Sequence, residues 1–158
     1  MSSKVKAIPD GYGSVTPRLI IKGAADAIDF YKKAFGASEL SRLTMPNGKI
    51  GHAEIEIGSS RVTLVDEFPE FAHLGGRSPE TLGDSTVILA LYVDDVDALA
   101  TQAVAAGGVL LAPVSNQFYG DRSTRMRDPF GHLWILSTHI EDVSPEEMER
   151  RMQSFTKK

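Results

Sequence analysis

The chain has 158 residues, of which 42% are hydrophobic and 24% are charged, a composition typical of a folded globular protein. Its formal net charge of -4 offers no basic surface for a phosphate backbone, so nucleic acid is not an expected partner. The absence of cysteine excludes disulfides, thiolate catalysis and cysteine-based zinc sites. No apolar run is long enough to span a bilayer, so no membrane partner is expected and the sequence predicts a cytoplasmic protein.

The first half of the chain predicts one βαβββ module over residues 15–67, after a loose polar lead-in over residues 1–14. The β-branched run from Val15 to Ile21 predicts a strand. From Ala24 to Phe35, apolar residues recur at steps of three and four, which is typical of one helix face, and Gly36 is a suitable C-terminal stop. Three strand-like runs separated by tight turns follow: Leu40 to Met45, Lys49 to Ile57 and Arg61 to Asp66.

The second half repeats this order at a constant shift of 71 residues. The helix residues Asp26-Ala27-Ile28 correspond to Asp97-Ala98-Leu99, and Gly36 corresponds to Gly107. Strand, helix, turn and final strand all keep this shift, which indicates an internal duplication with a second module over residues 86–139. Residues 68–85, rich in proline and glycine, are the expected linker, and a segment of this kind can also cover a pocket.

The C-terminal segment over residues 144–156 predicts a helix. Ser144 is a suitable N-cap, Pro145 fits the first helical position, and Glu147 lies three residues after the cap. Apolar residues at helical spacing predict a packing face against the body of the protein or a partner subunit. They are Met148, Met152 and Phe155.

Four stretches of sequence resemble the glyoxalase/bleomycin-resistance/extradiol-dioxygenase superfamily, also called the vicinal oxygen chelate superfamily, and in particular its PhnB-like branch. They are Ile28 to Gly36, Gly51 to Glu54, Tyr119 to Arg122 and Arg127 to Trp134. The resemblance implies an α+β fold with two curled mixed sheets around a central cleft, usually completed by dimerisation, so a homodimer is expected. It does not fix an activity, because the superfamily contains isomerases, dioxygenases, epimerases, thiol transferases and metal-free drug-binding proteins.

Enzymes of this superfamily hold a divalent ion with one residue early in the first strand and one residue in the last strand of each module. The corresponding positions here are Thr16, Leu64, Val87 and Ile135. Leucine, valine and isoleucine offer no lone pair, and threonine alone is a poor ligand. The resemblance therefore implies that the usual metal is absent, and no cofactor is expected.

Strand alternation predicts the surroundings of these four positions. If they point into the cleft, further residues of the same strands do so too, whereas Tyr92 and Trp134 face the helices. The further residues are Arg18, Val62, Asp66, Leu89, Leu91, Leu133 and Ser137. A cleft that is apolar at its centre and polar at its edge suits a small hydrophobic or aromatic ligand. The alternative, that these residues only pack one module or subunit on another, stays equally open.

His52, Glu54 and Glu56 form a polar row on one face of the third predicted strand. His52 is a candidate general base or ligand contact, and Glu54 is a weaker candidate beside it. The simpler interpretation is a half-exposed histidine in a charged strand. The shift also maps Glu54 onto Arg125 and Glu56 onto Arg127, which would permit pairing of acids with bases across a pseudo-twofold axis.

The loop from Asn116 to Arg122 is a second candidate site. Phe118 and Tyr119 offer an aromatic platform beside the guanidinium of Arg122, a combination that can hold an anionic or aromatic ligand. A structural role for Asp121 and Arg122 at the strand entry is a comparable alternative.

Two hypotheses of function remain. In the first, the protein binds a small hydrophobic or aromatic molecule without a metal, and the candidate ligand-binding residues are Arg18, Leu64, Asp66, Leu89, Tyr119, Arg122 and Ile135. In the second, it is a lyase, isomerase or dioxygenase with a displaced site, for which the candidates are His52, Glu54, Asp66 and Arg122. An unconventional metal site has little support from spacing; its donors would be His52, Asp66, Glu67 and His139.

Overall fold

In the computed structural model, which describes residues 5–155, the chain divides into two units between Asp84 and Ser85. Residues 1–4 of the predicted lead-in and residue 156 of the predicted C-terminal helix lie outside the described residues. Within residues 5–155, no helix has the length and apolar character that crossing a bilayer requires.

The first unit contains the predicted βαβββ order followed by two short helices. Its elements are β1 (Arg18–Ile21), α1 (Ala24–Phe35), β2 (Ser38–Thr44), β3 (Ile50–Ile57), β4 (Ser60–Asp66), a 3-10 helix (Pro69–Leu74) and α2 (Pro79–Leu82). The strands form a sheet in the order β1-β4-β3-β2, with β1 parallel to β4 and the other pairs antiparallel. α1 has the predicted bounds, and Gly36 ends it with a φ of 66°, a conformation that glycine adopts without steric cost.

One face of this sheet packs against α1. The helix presents Ile28 and Tyr31, both fully buried, to the apolar residues of the sheet. Those sheet residues are Leu19, Ile21, Ala53, Ile55, Ile57, Val62 and Leu64. Full burial of each large side chain contributes roughly 1.5–3 kcal/mol. The polar residues of β3 alternate with the buried ones and therefore lie on the opposite, open face of the sheet.

The second unit has the same order of a strand, a helix and antiparallel strands. Its elements are β5 (Ile88–Tyr92), α3 (Val96–Ala106), β6 (Val109–Leu110), β7 (Ser115–Asn116), β8 (Asp121–Arg127), β9 (Leu133–His139) and α4 (Pro145–Phe155). The sheet order is β5-β9-β8-β6, and β7 also pairs with β8. The side chain of Ser144 accepts a hydrogen bond from the N–H of Glu147 at 3.2 Å, as the predicted N-cap requires. The predicted α+β fold with a C-terminal helix is confirmed.

The difference in residue number between equivalent positions of the two units is not constant along the chain. Leu19 pairs with Leu64 in the first unit, and Leu91 pairs with Leu136 in the second. Leu64 and Leu136 are both 0% exposed, and each lies on the helix-facing side of its sheet, so they are structurally equivalent. For these strands the shift is therefore one residue longer than the predicted 71.

β3 and β8, in contrast, keep the predicted shift. Ala53 is the partner of Leu64, and Thr124 is the partner of Leu136. The difference has two sources. α3 has 11 residues whereas α1 has 12. Five residues separate the paired Arg127 and Leu133, whereas four separate the equivalent pair, Glu56 and Arg61.

Candidate functional site

A pocket of about 460 Å³ lies in the first unit, on the side of the sheet opposite α1. β1 and β4 contribute Arg18, Ile20 and Val65, and Asp66 completes the strand contribution. The segment after β4 supplies the rest of the lining: Phe68, Phe71, Leu74, Gly75 and Gly76. The sheet and the segment after it thus enclose a largely apolar space.

The 3-10 helix after β4 shapes this segment. Pro69 begins it, and Gly75 ends it with a φ of 85° and donates from its N–H to the carbonyls of Ala72 and Phe71. A side chain on Gly76 would press against the carbonyl of Phe71, because its Cβ would lie 3.2 Å from that oxygen. The chain therefore turns tightly here and presents two phenylalanines to the pocket.

The aromatic side chains of the pocket remain accessible. Phe68 and Phe71 contact each other edge to face, with ring centroids 6.3 Å apart. Phe71 is 53% exposed and Leu74 is 73% exposed, although both are large apolar residues. An exposed apolar patch of this kind, concave and bordered by polar groups, is typical of a binding site.

A polar network extends from the pocket across the open face of the sheet. Nδ1 of His52 lies 3.2 Å from the Arg18 guanidinium, and Nε2 lies 3.3 Å from Oε1 of Glu54. Because a guanidinium can only donate, Nδ1 of His52 accepts, and Nε2 carries the proton that faces Glu54. The charged row predicted on β3 thus connects to the pocket through Arg18.

Glu54 is held from its other side by two residues of the same unit. The guanidinium of Arg61 lies 3.8 Å from Oε2 of Glu54 and 4.8 Å above the ring of Tyr12. Hydrogen bonds from Tyr12 and then His52 lower the pKa of Glu54, and the same bond to Glu54 raises the pKa of Tyr12. Glu54 is therefore an ionised, engaged carboxylate. Sequence reasoning missed Tyr12 and Arg61, since a lone tyrosine between glycines carries no recognisable signal.

The two carboxylates at the end of β4 have structural partners. Asp66 accepts hydrogen bonds from the backbone N–H groups of Gly23, Ala24 and Ile50 at 3.0, 2.9 and 2.7 Å. Glu67 accepts from the hydroxyls of Ser78 and Thr81 at 2.8 and 2.7 Å. Asp66 thus caps the start of α1 while it contributes to the pocket lining, and Glu67 fixes the segment that leads to α2.

The other predicted ligand-binding residues lie elsewhere. Leu64 is buried under α1, and Leu89 pairs with Trp134 on the α3 side of the second sheet. The prediction that these two leucines point into the cleft is wrong. Leu64 pairs with Leu19 and so lies on the face opposite Arg18, and Leu89 is misplaced because the shift for its strand is one residue longer than predicted. Val62 and Leu91 are misplaced in the same two ways. Ile135 lies on the open face and is half-buried.

The loop residues Tyr119 and Arg122 do not form a joint platform. Arg122 makes two hydrogen bonds to Asp97 in the first turn of α3, at 2.6 and 2.7 Å, and a third to Asn116. Tyr119 packs edge to face on Phe118. Arg122 therefore has the structural role given above as the alternative to ligand binding: it connects the start of β8 to α3.

The second unit has a separate cluster of titratable groups beside a pocket of about 370 Å³. Asp121, which is 5% exposed, accepts from the hydroxyl of Tyr92 at 2.7 Å and from Nδ1 of His139 at 2.9 Å. Nε2 of His139 lies 2.8 Å from Asp142. The contacts with Asp121 and then Asp142 raise the pKa of His139. Tyr92 lies on the open face, paired with Ser137, so the prediction that it faces the helices is wrong, whereas Trp134 does face α3.

Enzymes of this fold hold a divalent ion at positions that, in this chain, carry side chains unsuited to binding one. In the sheets, the open-face residues of the first and last strands are mostly apolar or cationic, as Arg18, Val65 and Ile135 illustrate. Such side chains do not coordinate divalent ions. Among residues 5–155, no group of three histidine, aspartate or glutamate side chains converges as a metal site requires.

Comparison with known proteins places this fold in a family. A family model described as Glyoxalase/Bleomycin resistance protein/Dioxygenase superfamily matches residues 13–136. An uncharacterized protein of Mycobacterium bovis is 40% identical over 143 residues, which cover 89% of this chain and 93% of that protein.

Solved structures agree with this placement. A gene product of Arabidopsis thaliana has a TM-score of 0.62 at 26% identity, covering 80% of this chain and 98% of that chain. TioX from Micromonospora sp. ML1 has a TM-score of 0.61 at 26% identity, covering 81% of this chain and 100% of its own. A fosfomycin resistance protein of Listeria monocytogenes, FosX, solved with manganese(II) and a dihydroxypropylphosphonic acid, shares the fold with a TM-score of 0.61 at 18% identity, covering 89% and 97% of the two chains. The finer placement in the PhnB-like branch stays a prediction. The chain belongs to the glyoxalase/bleomycin resistance/dioxygenase superfamily.

Proposed function

We propose that the first unit binds a small hydrophobic or aromatic molecule in the pocket opposite α1, without a metal ion. The observation that carries this proposal is the apolar lining of a pocket of about 460 Å³. That volume lies within the range of small-molecule sites, and the lining combines aromatic side chains with a few polar groups, as such sites do. The half-buried ring of Phe68 and the exposed ring of Phe71 supply the contact surface for a flat ligand.

The alternative, an enzyme with a displaced site, has less support. Its four candidate residues were His52, Glu54, Asp66 and Arg122. Asp66 is engaged by three backbone N–H groups, and Arg122 is bound to Asp97 in the second unit. Only His52 and Glu54 remain together, and both have partners on the sheet. We therefore favour binding over catalysis.

Binding can be tested with N-phenylnaphthylamine, a neutral aromatic probe whose fluorescence rises in apolar surroundings. We expect saturable binding to the wild-type protein and a dissociation constant about tenfold larger for Phe71→Ala, because that variant loses an aromatic contact with the probe. Phe155→Ala is the matched control, since Phe155 is also an exposed phenylalanine, at 69%, but lies on α4 of the second unit. Equal binding by wild type and Phe71→Ala would contradict the proposal.

Elemental analysis tests whether binding is independent of a metal ion. We expect no stoichiometric zinc, nickel, manganese or iron in the purified protein by elemental analysis, and an unchanged probe affinity after treatment with a chelator. A metal present at one equivalent, whose removal abolishes probe binding, would overturn metal independence while leaving the pocket itself in place.

We further propose that the protein is a homodimer. The proposal is supported by the resemblance to superfamily members that dimerise and by two apolar side chains of α4 that are partly exposed to solvent, Met152 and Phe155. Its test is the mass of the protein in solution.

A further inference from the structure

The lining of the pocket in the first unit includes one positively charged side chain that has no oppositely charged partner among residues 5–155, Arg18. Arg18 lies in β1 on the open face of the sheet, next to Ile20 and Val65 in the pocket lining. Among residues 5–155, its one hydrogen bond is the contact of 3.2 Å with Nδ1 of His52. This partner accepts through a ring nitrogen and brings no negative charge to the guanidinium.

The carboxylates near Arg18 do not neutralise it. Glu54 lies beyond His52 and is paired with Arg61 and Tyr12. Asp66, which also lines the pocket, directs both carboxylate oxygens to backbone N–H groups, and no ion pair joins it to Arg18 within the described chain. The positive charge of Arg18 is therefore uncompensated at the pocket.

A second cation, Lys49, contacts one aromatic residue of the pocket lining but does not line the pocket itself. The ammonium group of Lys49 lies 5.1 Å from the centroid of the Phe68 ring and donates to the carbonyl of Glu67 at 3.1 Å. Neither contact supplies a carboxylate. Arg18 is thus the one cation among the lining residues, and within residues 5–155 neither Arg18 nor Lys49 contacts a carboxylate.

We propose that the ligand of this pocket is an organic anion with an aromatic or hydrophobic body and a carboxylate or sulfonate group that pairs with Arg18. This inference rests on the proposed binding function and adds the charge of the ligand. A guanidinium presents a planar fork that matches such oxyanions, and the exposed side chain of Arg18 leaves this fork accessible beside the apolar lining. His52 acts as a positioning residue, because its Nδ1 holds one terminal nitrogen of Arg18 against the sheet.

A pair of probes that differ in charge tests the inference. Anilinonaphthalene sulfonate has the same aromatic body as N-phenylnaphthylamine and adds one sulfonate. We expect the wild-type protein to bind the sulfonate about tenfold more tightly, as expected for one charge-assisted hydrogen-bonded pair. Arg18→Gln should weaken binding of the sulfonate more than binding of the neutral probe, so that the preference is lost, and Arg18→Lys should retain part of it. Arg42→Gln is the matched control, since Arg42 is a surface arginine that is already paired with Glu39 at 2.7 Å.

The outcomes separate this inference from the proposal beneath it. Equal affinities for the two probes in the wild-type protein, both weakened by Phe71→Ala, would overturn the anionic ligand and leave the hydrophobic pocket. Failure of both probes to bind, or binding that Phe71→Ala leaves unchanged, would overturn the proposed function as well. A loss of sulfonate preference in Arg42→Gln would also overturn the assignment to Arg18. Chemical unfolding of each variant confirms that the comparison is made between folded proteins.

Discussion

Asp66 links three parts of the first unit through one carboxylate. One oxygen accepts from the N–H groups of Gly23 and Ala24 at the start of α1, and the other accepts from Ile50 at the start of β3. Gly23, at the N-cap position, has no side chain with which to cap the helix itself. The cap therefore comes from β4, a strand distant in sequence, and it couples helix and sheet.

Removal of this carboxylate should destabilise the protein strongly. Asp66→Ala leaves three backbone N–H groups without their acceptor, and we expect the free energy of unfolding to fall by roughly 2–4 kcal/mol. Urea unfolding followed by circular dichroism measures the change. Asp29→Ala is the control, since Asp29 is an exposed aspartate on α1 and its removal should cost less than about 0.5 kcal/mol. Similar losses in the two variants would refute the coupling role.

Sequence reasoning identified Asp66 as a polar residue near the ligand but not as a cap. Helix caps are usually recognised a few residues before the helix, and here the acceptor lies 42 residues after Ala24. Arg18 could be predicted, because strand alternation in β1 places it on the open face. Tyr12 could not be predicted, since its contact with Arg61 depends on how the lead-in folds back onto the sheet.

At the scale of elements, α4 differs from the other long helices because none of its residues is buried. Arg151 holds it instead: the guanidinium pairs with Glu141 at 2.7 Å, with Glu147 at 2.6 Å, and donates to the carbonyl of Phe118 at 3.2 Å. The Phe118 ring also lies 5.6 Å from that of Phe155. The attachment of this helix is therefore mainly electrostatic and concentrated in one side chain.

Loss of Arg151 should loosen α4 without unfolding the sheet of the second unit. In Arg151→Ala we expect the amides of α4 to exchange hydrogen about tenfold faster, while those of β8 and β9 are unchanged, because helix opening then costs less free energy. Hydrogen exchange with mass spectrometry measures both regions. Arg150→Ala is the matched control, since among residues 5–155 the Arg150 guanidinium pairs only with Glu147 inside the same helix. Equal acceleration in both variants would show that intrahelical pairing, not the clamp, controls opening.

The sequence predicts the bounds of some elements better than those of others, and the reasons are physical. α1 was predicted with its observed bounds because its apolar periodicity and its terminal glycine agree. The single strand expected after the second helix, by analogy with β2, forms as the two short strands β6 and β7. Pro113 lies between them and has no N–H with which to continue the hydrogen-bond ladder.

At the scale of the whole molecule, the proposed homodimer has a direct measurement. Sedimentation velocity should give twice the mass of one chain at micromolar concentration, because apolar side chains that a monomer leaves exposed are buried in a stable interface. The variant Phe155→Glu, which places a charge on α4, should shift the protein towards the monomer if α4 lies in that interface. A monomer at all concentrations of the wild-type protein would refute the dimer.

The architecture of the whole chain could be predicted because duplicated elements leave a periodic trace in the sequence. The orientation of individual strands could not, since side chains alternate with a period of two and an error of one residue turns a strand over. This is why Leu64 and Leu89 were assigned to the ligand although they face helices. The pocket wall at Phe71 and Leu74 lies outside the repeat, so no comparison between the copies could have revealed it.

The unequal shift between the units also shows where their lengths differ. Relative to the first unit, the second has one residue fewer in its helix and one residue more between its paired residues Arg127 and Leu133 than the first has between Glu56 and Arg61. The two differences are opposite in sign, so β5 and β9 have the same shift from β1 and β4, and Leu136 faces α3 as Leu64 faces α1. An ungapped alignment of the two units can therefore match β1 and β4 with their counterparts, or β3 with β8, but not all three at once.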